Sequence, residues 1–215
     1  MTTTNILALD TACSQVSACL LAGQRVFYVN AGGDLPRSVS LAPALAELLH
    51  QADLGWQDIE AFALGHGPGS FTGIRIGAAT IAGLNSGLKR PLLHLSSLAI
   101  SALQAKCEGP VHVLEDARAG EAFVGCYQAG EMLQADACMR WDDVLALPPG
   151  SFVSHADPAV PLPGWERLPL SISRDEALEL ALRHAMGRVA DWQALPHYPE
   201  PVYLQPSQAE RNAYV

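Results

Sequence analysis

The spacing of hydrophobic residues along the first half of the chain predicts strands that alternate with helices. Short apolar runs predict buried strands, and the first of these, Asn5–Asp10, ends in an acidic side chain. Longer stretches carry apolar residues three or four positions apart, which is the spacing of one helix face. The predicted strands are 5–10, 16–21, 25–30, 61–64 and 91–95, and the predicted helices are 38–53, 73–88 and 96–106.

This order predicts an α/β fold in which a mixed sheet is flanked by helices. The second half opens in the same way, with a strand over 111–116 and a partner strand over 122–128. Asp10 and Asp116 therefore end corresponding strands, which suggests a duplicated domain. We place the domains at 1–105 and 106–215, with a C-terminal segment that could pack back on the first. Beyond these strands only a helix over 174–189 is predicted, and the proline-rich residues 196–215 are expected to be irregular.

Composition describes a globular chain and argues against direct binding of nucleic acid. Hydrophobic residues make up 49% of the chain and charged residues 16%, so a sizeable core can form. The net charge is −9, and residues 106–215 hold sixteen acidic against eight basic side chains. Phosphate binding needs clustered Lys and Arg, so a role in RNA chemistry would require a more basic partner.

Cysteine usage and hydropathy favour a cytoplasmic protein. The five cysteines are odd in number and contain no C-x-x-C pair, as in proteins of a reducing compartment. No apolar stretch of about 18 residues could span a membrane, and the start of the chain does not resemble a signal peptide. None of the seven histidines has the spacing of a helical metal pair, so no metal site is expected, and a structural role is expected for His66.

A glycine-rich run is the most distinctive feature of the sequence. Five glycines and a proline lie within residues 65–77, between a predicted strand and a predicted helix. Such a turn can hold an anion, a nucleotide or a partner surface, or can serve tight packing alone. The run is neither a Walker loop nor a nucleophile elbow. The loop residues of interest are Gly67, Pro68, Gly69, Ser70, Phe71 and Thr72, and Thr72 is predicted to cap the helix.

Asp10 sits where phosphotransferases of the actin and sugar-kinase type hold a metal and begin a phosphate loop. Here Thr11 follows it and no glycine is near, so the backbone cannot wrap a phosphate closely. The late Gly-Gly pair of such enzymes is also missing, since the chain's one Gly-Gly is at 32–33. We therefore predict a structural role for Asp10, such as a hydrogen bond to a nearby turn. Asp10, Thr11 and Asp116 are the candidates for a vestigial nucleotide cleft.

The helix predicted over 73–88 is unusually rich in small residues. Glycine inside a helix costs about 0.5–1 kcal/mol relative to alanine, which close approach of another backbone can recover. With the apolar helix over 38–53 it forms the best candidate for a helix–helix interface, although packing within the chain is an alternative. The candidate interface residues are Leu41, Leu45, Leu49, Gly73, Arg75, Gly77, Thr80 and Gly83. On this basis Gly77→Leu is expected to abolish partner binding and leave the fold intact.

Several motifs in this order resemble the TsaB (YeaZ) family. They are Ile-Leu-Ala-Leu-Asp-Thr at 6–11, the glycine run at 67–77, Ser-Ser-Leu at 96–98, Asp-Ala-Arg-Ala-Gly-Glu at 116–121 and Glu-Pro-Val-Tyr-Leu at 200–204. This family comprises accessory subunits of the bacterial system that places threonylcarbamoyl on adenosine in tRNA. The resemblance covers nearly the whole chain, but residues 148–174 carry no recognised signature. A histidine that members often show is also absent from 37–40.

The resemblance implies a two-domain actin-like fold of the acetate and sugar kinase, heat-shock and actin class. It implies a catalytically inactive subunit that binds the catalytic paralogue TsaD through the two helices, forms homodimers alone, and is joined by the ATPase TsaE. ATP and a metal ion are then expected on the partner subunits, with none bound here, and tRNA is contacted only through the complex. Two alternatives stay open. One is an ATP-dependent phosphotransferase or glycoprotease-like hydrolase of the same fold, and the other is a stand-alone homodimeric scaffold.

Overall fold

The computed structural model describes residues 4–29 and 37–206. Most of the loop after the third predicted strand, including the Gly-Gly pair at 32–33, and the last nine residues of the chain lie outside these ranges. Within the described ranges the chain forms two mixed sheets flanked by helices, which confirms the predicted α/β class. The division into domains at residue 105 stays a prediction.

The first sheet is built from five strands in the order β3-β2-β1-β4-β5. Strand β2 runs antiparallel to its neighbours β1 and β3, whereas β1, β4 and β5 are parallel. Because β1 lies at the centre, its last residue, Asp10, is placed beside the ends of both neighbouring strands. The strands are β1 Asn5–Asp10, β2 Ser17–Ala22, β3 Arg25–Tyr28, β4 Ala61–Gly65 and β5 Leu92–Leu95.

The second sheet repeats the order and the directions of the first. From one edge it runs β8-β7-β6-β9-β10, and only β7 is antiparallel to its neighbours. In each sheet the chain therefore begins with the central strand. The next two strands are added on one side by antiparallel pairing, and the last two are added on the other side by parallel pairing. The strands are β6 Val111–Arg118, β7 Glu121–Gln128, β8 Glu131–Arg140, β9 Ser151–Val153 and β10 Glu166–Arg167. This repetition supports the duplication suggested by Asp10 and Asp116.

The helices form layers on the faces of the sheets. They are α1 Arg37–Ala52, α2 Phe71–Leu88, α3 Ser97–Leu103, α4 Trp141–Leu145 and α5 Arg174–Met186. Helices α1 and α2 cover one face of the first sheet, α5 covers the other face, and α3 lies between the two sheets. The alternation of β1 fits this arrangement, since Leu7 and Leu9 face α1 and α2 while Ile6 and Ala8 face α5.

The ends of three helices refine or correct the sequence prediction. Helix α2 begins at Phe71, and Ser70 caps it by accepting a hydrogen bond from the Gly73 amide, so the expected cap at Thr72 was wrong. Helix α3 is capped by Ser96, as one of the two predicted serines, but ends at Leu103. Helix α5 begins with a capping box between Ser173 and Glu176.

The sequence analysis missed the elements that lie on the periphery of the second sheet. Strand β8 pairs with β7 over most of its length, but its first five residues are exposed, so it lacks a continuous apolar pattern. Strands β9 and β10 have three and two residues, and α4 has five. Elements this short carry too few positions to show a period.

Candidate functional site

A cleft of about 650 Å³ opens between the carboxyl ends of the central strands of the two sheets. Ligands of open α/β sheets bind at this end of the strands, so the cleft is the candidate ligand-binding site. Its walls come from the turn after β1, the glycine run, the end of β6, the loop after β9 and a C-terminal segment. These wall segments are 12–14, 68–71, 115–118, 155–157 and 202–206.

Asp10, at the base of this cleft, is completely buried and fully engaged within the chain. One carboxylate oxygen accepts from the Ala12 amide and from the Ser97 hydroxyl, each at 3.0 Å. The other accepts from the Arg174 guanidinium, at 3.0 Å from Nε and 2.5 Å from Nη2. The bond to Ala12 is the hydrogen bond to a nearby turn that the sequence analysis predicted. The negative charge of the Asp10 carboxylate is therefore balanced by a cation of the chain itself.

Arg174 is the functional residue that sequence reasoning missed. It is the first residue of α5, is 3% exposed, and also donates to the Ser97 carbonyl and the Ser101 hydroxyl. Burial alone would lower the pKa of its guanidinium, but the neighbouring anionic groups, Asp10 among them, raise that pKa, so the group stays charged. A basic side chain in the first turn of a helix opposes the helix dipole. That unfavourable position was the available signal that Arg174 has a specific partner.

A second set of polar contacts continues from Arg174 to the second sheet. The Gln104 side-chain oxygen accepts from His155 Nε2 at 2.7 Å, and its amide nitrogen donates to the Ile172 carbonyl at 3.3 Å. On its other side His155 Nδ1 lies 2.5 Å from a Glu115 carboxylate oxygen in β6. These contacts join the base of the first sheet to the end of the central strand of the second.

The two other cleft candidates have different surroundings. The Thr11 hydroxyl is buried and donates to the Gly73 carbonyl at 2.6 Å, so it holds the turn after β1 against the start of α2. Asp116 lines the cleft, accepts from the Arg118 amide at 3.0 Å and forms an ion pair with the Arg118 guanidinium at 3.4 Å. The structure therefore brings only Asp116 of the three to the cleft surface.

The part of the glycine run that begins α2 serves packing within the chain. A Cβ on Gly77 would lie 2.4 Å from the Thr11 hydroxyl oxygen and 3.2 Å from Leu64 Cδ1. Neither neighbour can move freely, because both are part of the first sheet or the turn that follows it. The expectation that Gly77→Leu would leave the fold intact was therefore wrong. Gly73 is buried on the same side of the helix.

The remaining loop residues join the run to the turn after β1 and to the cleft. The Ser70 amide donates to the Ala12 carbonyl at 2.7 Å, and the Gly67 amide donates to the Ser97 hydroxyl at 3.1 Å. Pro68, Gly69, Ser70 and Phe71 line the cleft, whereas Thr72 is exposed at the start of α2.

The three leucines proposed as apolar contacts with a partner face the chain's own core. Leu41, Leu45 and Leu49 are 2%, 0% and 3% exposed and pack between α1 and the first sheet. Because they offer no surface to another molecule, this part of the interface prediction needs correction. The periodic leucines correctly identified the buried face of α1, and a contact surface on this helix must use its opposite face.

The outer face of α2 carries the other interface candidates. Arg75 is exposed and stacks on the Phe71 ring, with the guanidinium carbon 3.9 Å from the ring centroid. Thr80 is half-buried and Gly83 is exposed. Apart from the glycine itself, its chain neighbours and the nearby backbone of the helix, no described atom lies within 4 Å of the position that a Cβ would take on Gly83 or Gly87. Two of the glycines in this helix are therefore not explained by packing among the described residues.

The described ranges contain neither a group of metal ligands nor a membrane-spanning helix. Among residues 4–29 and 37–206, no three His, Cys, Asp or Glu side chains are grouped so that they could hold a metal ion. In the same ranges no helix is long and apolar enough to cross a membrane.

Comparison with known proteins identifies the family. Residues 31–163 match the family described as TsaD, tRNA N6-adenosine threonylcarbamoyltransferase. The chain belongs to the TsaD family. Among its relatives are two named tRNA threonylcarbamoyladenosine biosynthesis protein TsaB. The one from Haemophilus influenzae is 34% identical over 122 residues, covering 55% of this chain and 51% of that protein. The one from Escherichia coli strain K12 is 39% identical over 132 residues, covering 59% and 56%.

A solved structure extends the likeness to 94% of the chain. YeaZ from Pseudomonas aeruginosa superposes with a TM-score of 0.70 and 29% identity over 94% of this chain and all of that one. The chain spans about half the length of the curated relatives it matches in sequence. Within the TsaD family the resemblance to TsaB and YeaZ is thus confirmed.

Proposed function

We propose that this chain is a non-catalytic subunit of the system that makes threonylcarbamoyladenosine in tRNA. Its relatives carry the name of that biosynthesis, and its family includes the transferase itself. The partner we propose is the catalytic paralogue TsaD, with the ATPase TsaE joining the assembly and a homodimer forming when the chain is alone. ATP and a metal ion are placed on the partner subunits, and tRNA is contacted only through the complex.

The state of Asp10 supports the non-catalytic part of this proposal. Both oxygens of its carboxylate accept hydrogen bonds from buried donors of the chain, and its charge is balanced by Arg174. A divalent cation would have to displace the buried Arg174 guanidinium from Asp10. The guanidinium would then be left buried without an anionic partner, which is costly. The rival function, an ATP-dependent phosphotransferase or hydrolase, requires this aspartate to be accessible.

The outer face of α2 carries the partner-binding part of the proposal. Gly83 lies in the interior of the helix, is exposed, and has open space where a side chain would stand. A helix interior glycine lowers stability by about 0.5–1 kcal/mol relative to alanine, and packing among the described residues does not require it. A partner helix whose backbone approaches closely would require it. Helix α1, which contacts α2, also exposes two small side chains, Ala42 and Ala46.

The test is to enlarge Gly83 and measure association. Light scattering gives the molar mass of the chain alone and mixed with TsaD from the same organism. We expect the unmodified pair to form a heterodimer and Gly83→Leu to weaken it at least ten-fold, since a leucine there would separate the two helices by its own width. Arg183→Leu is the matched control, because Arg183 is an exposed position on α5, on the opposite face of the first sheet.

Three results would each contradict the proposal in a different way. Undiminished binding by Gly83→Leu would remove α2 from the interface. Failure of the unmodified pair to associate, with or without nucleotide and TsaE, would end the accessory-subunit proposal. Binding of magnesium and ATP by the isolated chain, lost on Asp10→Ala, would favour the enzyme alternative.

A further inference from the structure

The C-terminal segment 196–205 crosses the first sheet and then the cleft, and we call it the strap. It has no regular secondary structure, and its backbone is held at four places on the first half of the chain. The Pro196 carbonyl accepts from the Leu92 amide at 2.8 Å, and the His197 carbonyl accepts from the Asn85 side chain at 2.7 Å. The other two places are a pair of histidines and the glycine run.

Two stacked histidines clamp the strap at Glu200. His66 and His94 lie with their ring centroids 5.2 Å apart. The Glu200 amide donates to His94 Nε2 at 3.0 Å, and the Glu200 carbonyl lies 3.0 Å from His66 Nδ1. A backbone amide can only donate, so His94 Nε2 must carry no proton. A carbonyl can only accept, so His66 Nδ1 must carry one.

Beyond the histidines the strap runs into the cleft. The Val202 amide donates to the His66 carbonyl at 2.8 Å, and the Val202 carbonyl lies so close to Gly67 that a Cβ there would be 2.7 Å away. Gly67 has a φ of +106°, a conformation that other residues rarely adopt. This glycine of the run therefore fits the strap and not an anion.

The end of the strap reaches the second half of the chain and forms one wall of the cleft. The Tyr203 ring packs against Phe71 at the start of α2, with a centroid distance of 4.8 Å and an angle of 45° between the ring planes. The Gln205 side chain donates to Glu121 in β7 at 2.6 Å. Residues 202–206 face Cys13 and the turn after β1 across the cleft. Removing the strap would widen the cleft and expose the turn that follows Asp10.

The strap is weakly held compared with the sheets on which it lies. None of its residues is fully buried, and its attachment consists mainly of single hydrogen bonds at the surface. Segments with few buried apolar contacts open locally at much lower free energy than the whole fold. We propose that residues 196–205 form a releasable strap over the cleft, latched by the unprotonated His94 ring.

The latch has a defined dependence on pH. Protonation of His94 Nε2 removes the acceptor for the Glu200 amide and places a positive charge beside His66. Burial lowers the pKa of His94 below its ordinary value of 6.5, and His66 lowers it further, while Glu200 opposes both effects. Burial also lowers the pKa of His66, against the hydrogen bond to the Glu200 carbonyl and the charges of Asp136, Glu200 and Asp10. The strap is therefore held above pH 6.5 and is released as the pH falls from there through the lowered pKa of His94.

Hydrogen exchange of the full chain between pH 8 and pH 5, corrected for intrinsic exchange rates, tests this proposal. We expect the opening of the strap, read at the Glu200 and Val202 amides, to increase by up to ten-fold per pH unit below 6.5, the limit for one proton. Protection of β1 should stay constant. A strap that is insensitive to pH, or one that loses protection together with β1, would overturn the proposal without any variant being needed.

Two variants assign the effect to His94. His94→Gln keeps an acceptor but cannot titrate, so the strap should lose most of its sensitivity to pH, with a smaller dependence left by the lowered pKa of His66. His112→Gln is the matched control, because His112 is also half-buried with a lowered pKa but lies on β6, away from the strap. In His112→Gln the opening of the strap should depend on pH as in the unmodified chain. An undiminished pH dependence in His94→Gln would contradict the assignment to His94.

A chemical probe measures whether release opens the cleft. Cys13 lines the cleft opposite the strap, and burial raises the pKa of its thiol to about 12. At pH 7.5 we expect His94→Phe to increase the rate of Cys13 alkylation about five-fold, the factor that loss of one hydrogen bond produces in an opening equilibrium. His112→Phe should leave the rate unchanged. An unchanged rate in His94→Phe would show that the strap does not control the cleft. These measurements use the chain alone, so they can fail independently of the proposed partnership with TsaD.

Discussion

At the scale of single residues, the buried pair of Asp10 and Arg174 distinguishes this cleft from a site that binds a metal. The two side chains are separated by 164 positions in sequence, and neither is more than 3% exposed. A buried charge is tolerated when it is paired and its other hydrogen-bonding positions are filled, as they are here by Ser97, Ser101 and Ala12. Removing either charge alone would leave the other without compensation.

Arg174→Met should therefore destabilise the chain by about 3–5 kcal/mol, because it leaves the Asp10 carboxylate buried without its cation. Denaturant unfolding measures this free energy. The double variant Asp10→Asn with Arg174→Met should recover part of the loss, since no isolated charge then remains. The matched control is Arg183→Met, which breaks an exposed ion pair with Glu179 and should cost less than about 0.5 kcal/mol. A loss below about 1 kcal/mol for Arg174→Met would show that the pair does not stabilise the fold.

At the scale of elements, α2 combines two faces with different requirements for glycine. Gly77 faces Thr11 and the first sheet at a distance that excludes a side chain. Gly83 and Gly87 face outward, and no described atom from outside their own stretch of helix backbone lies within 4 Å of the place of their missing Cβ atoms. The small residues of α2 therefore have two causes. Packing within the chain explains Gly77, whereas contact with a partner is the proposed reason for Gly83, six positions further along the helix.

Alanine substitutions on the two faces should change the free energy of unfolding in opposite directions. Gly83→Ala should stabilise the isolated chain by about 0.5–1 kcal/mol, because alanine loses less conformational entropy in a helix. Gly77→Ala should destabilise it by about 1–3 kcal/mol, because its Cβ would be overpacked against Thr11. Thermal and denaturant unfolding of the two variants measure the difference. If Gly83→Ala were destabilising, contacts within the chain would have to explain that glycine as well.

At the scale of the whole molecule, two sheets of the same topology are joined by polar contacts at the base of the cleft. The contacts run from Asp10 through Arg174, Gln104 and His155 to Glu115. Helix α5, which belongs to the second half of the sequence, also packs its apolar face on the first sheet. Because these connections are long in sequence, the relative position of the two sheets depends on tertiary contacts and not on the covalent link between them.

His155→Ala should weaken this connection. It leaves the Glu115 carboxylate without its closest partner and should cost about 1–3 kcal/mol in unfolding free energy. Hydrogen exchange should show a larger loss of protection in β6 and β9 than in β1 and β4. His184→Ala is the control, since His184 is an exposed histidine on α5. Equal loss of protection in both sheets would mean that His155 stabilises the molecule as a whole and does not link its halves.

The sequence by itself determined the elements whose patterns are local. The strands at Asn5–Asp10 and Leu92–Leu95 and the helices α1 and α2 were predicted within a few residues, because the period of apolar residues along a segment directly reflects which face is buried. The motifs at 6–11 and 67–77 carried the family resemblance that the comparisons confirm. The leucines of α1 were correctly identified as one face, but the period alone does not tell whether that face meets the chain's own sheet or a partner.

Only the tertiary structure decided the partners of the polar residues. The cation beside Asp10, the acceptor beside the Glu200 amide and the hydroxyl beside Gly77 come from residues that are 164, 106 and 66 positions away in sequence. Such contacts depend on how the two sheets, α5 and the strap are placed together. A local pattern contains no record of that placement. The first-turn position of Arg174 and the proline-rich C-terminal segment were visible in the sequence, but the partners of both could be identified only once the fold was known.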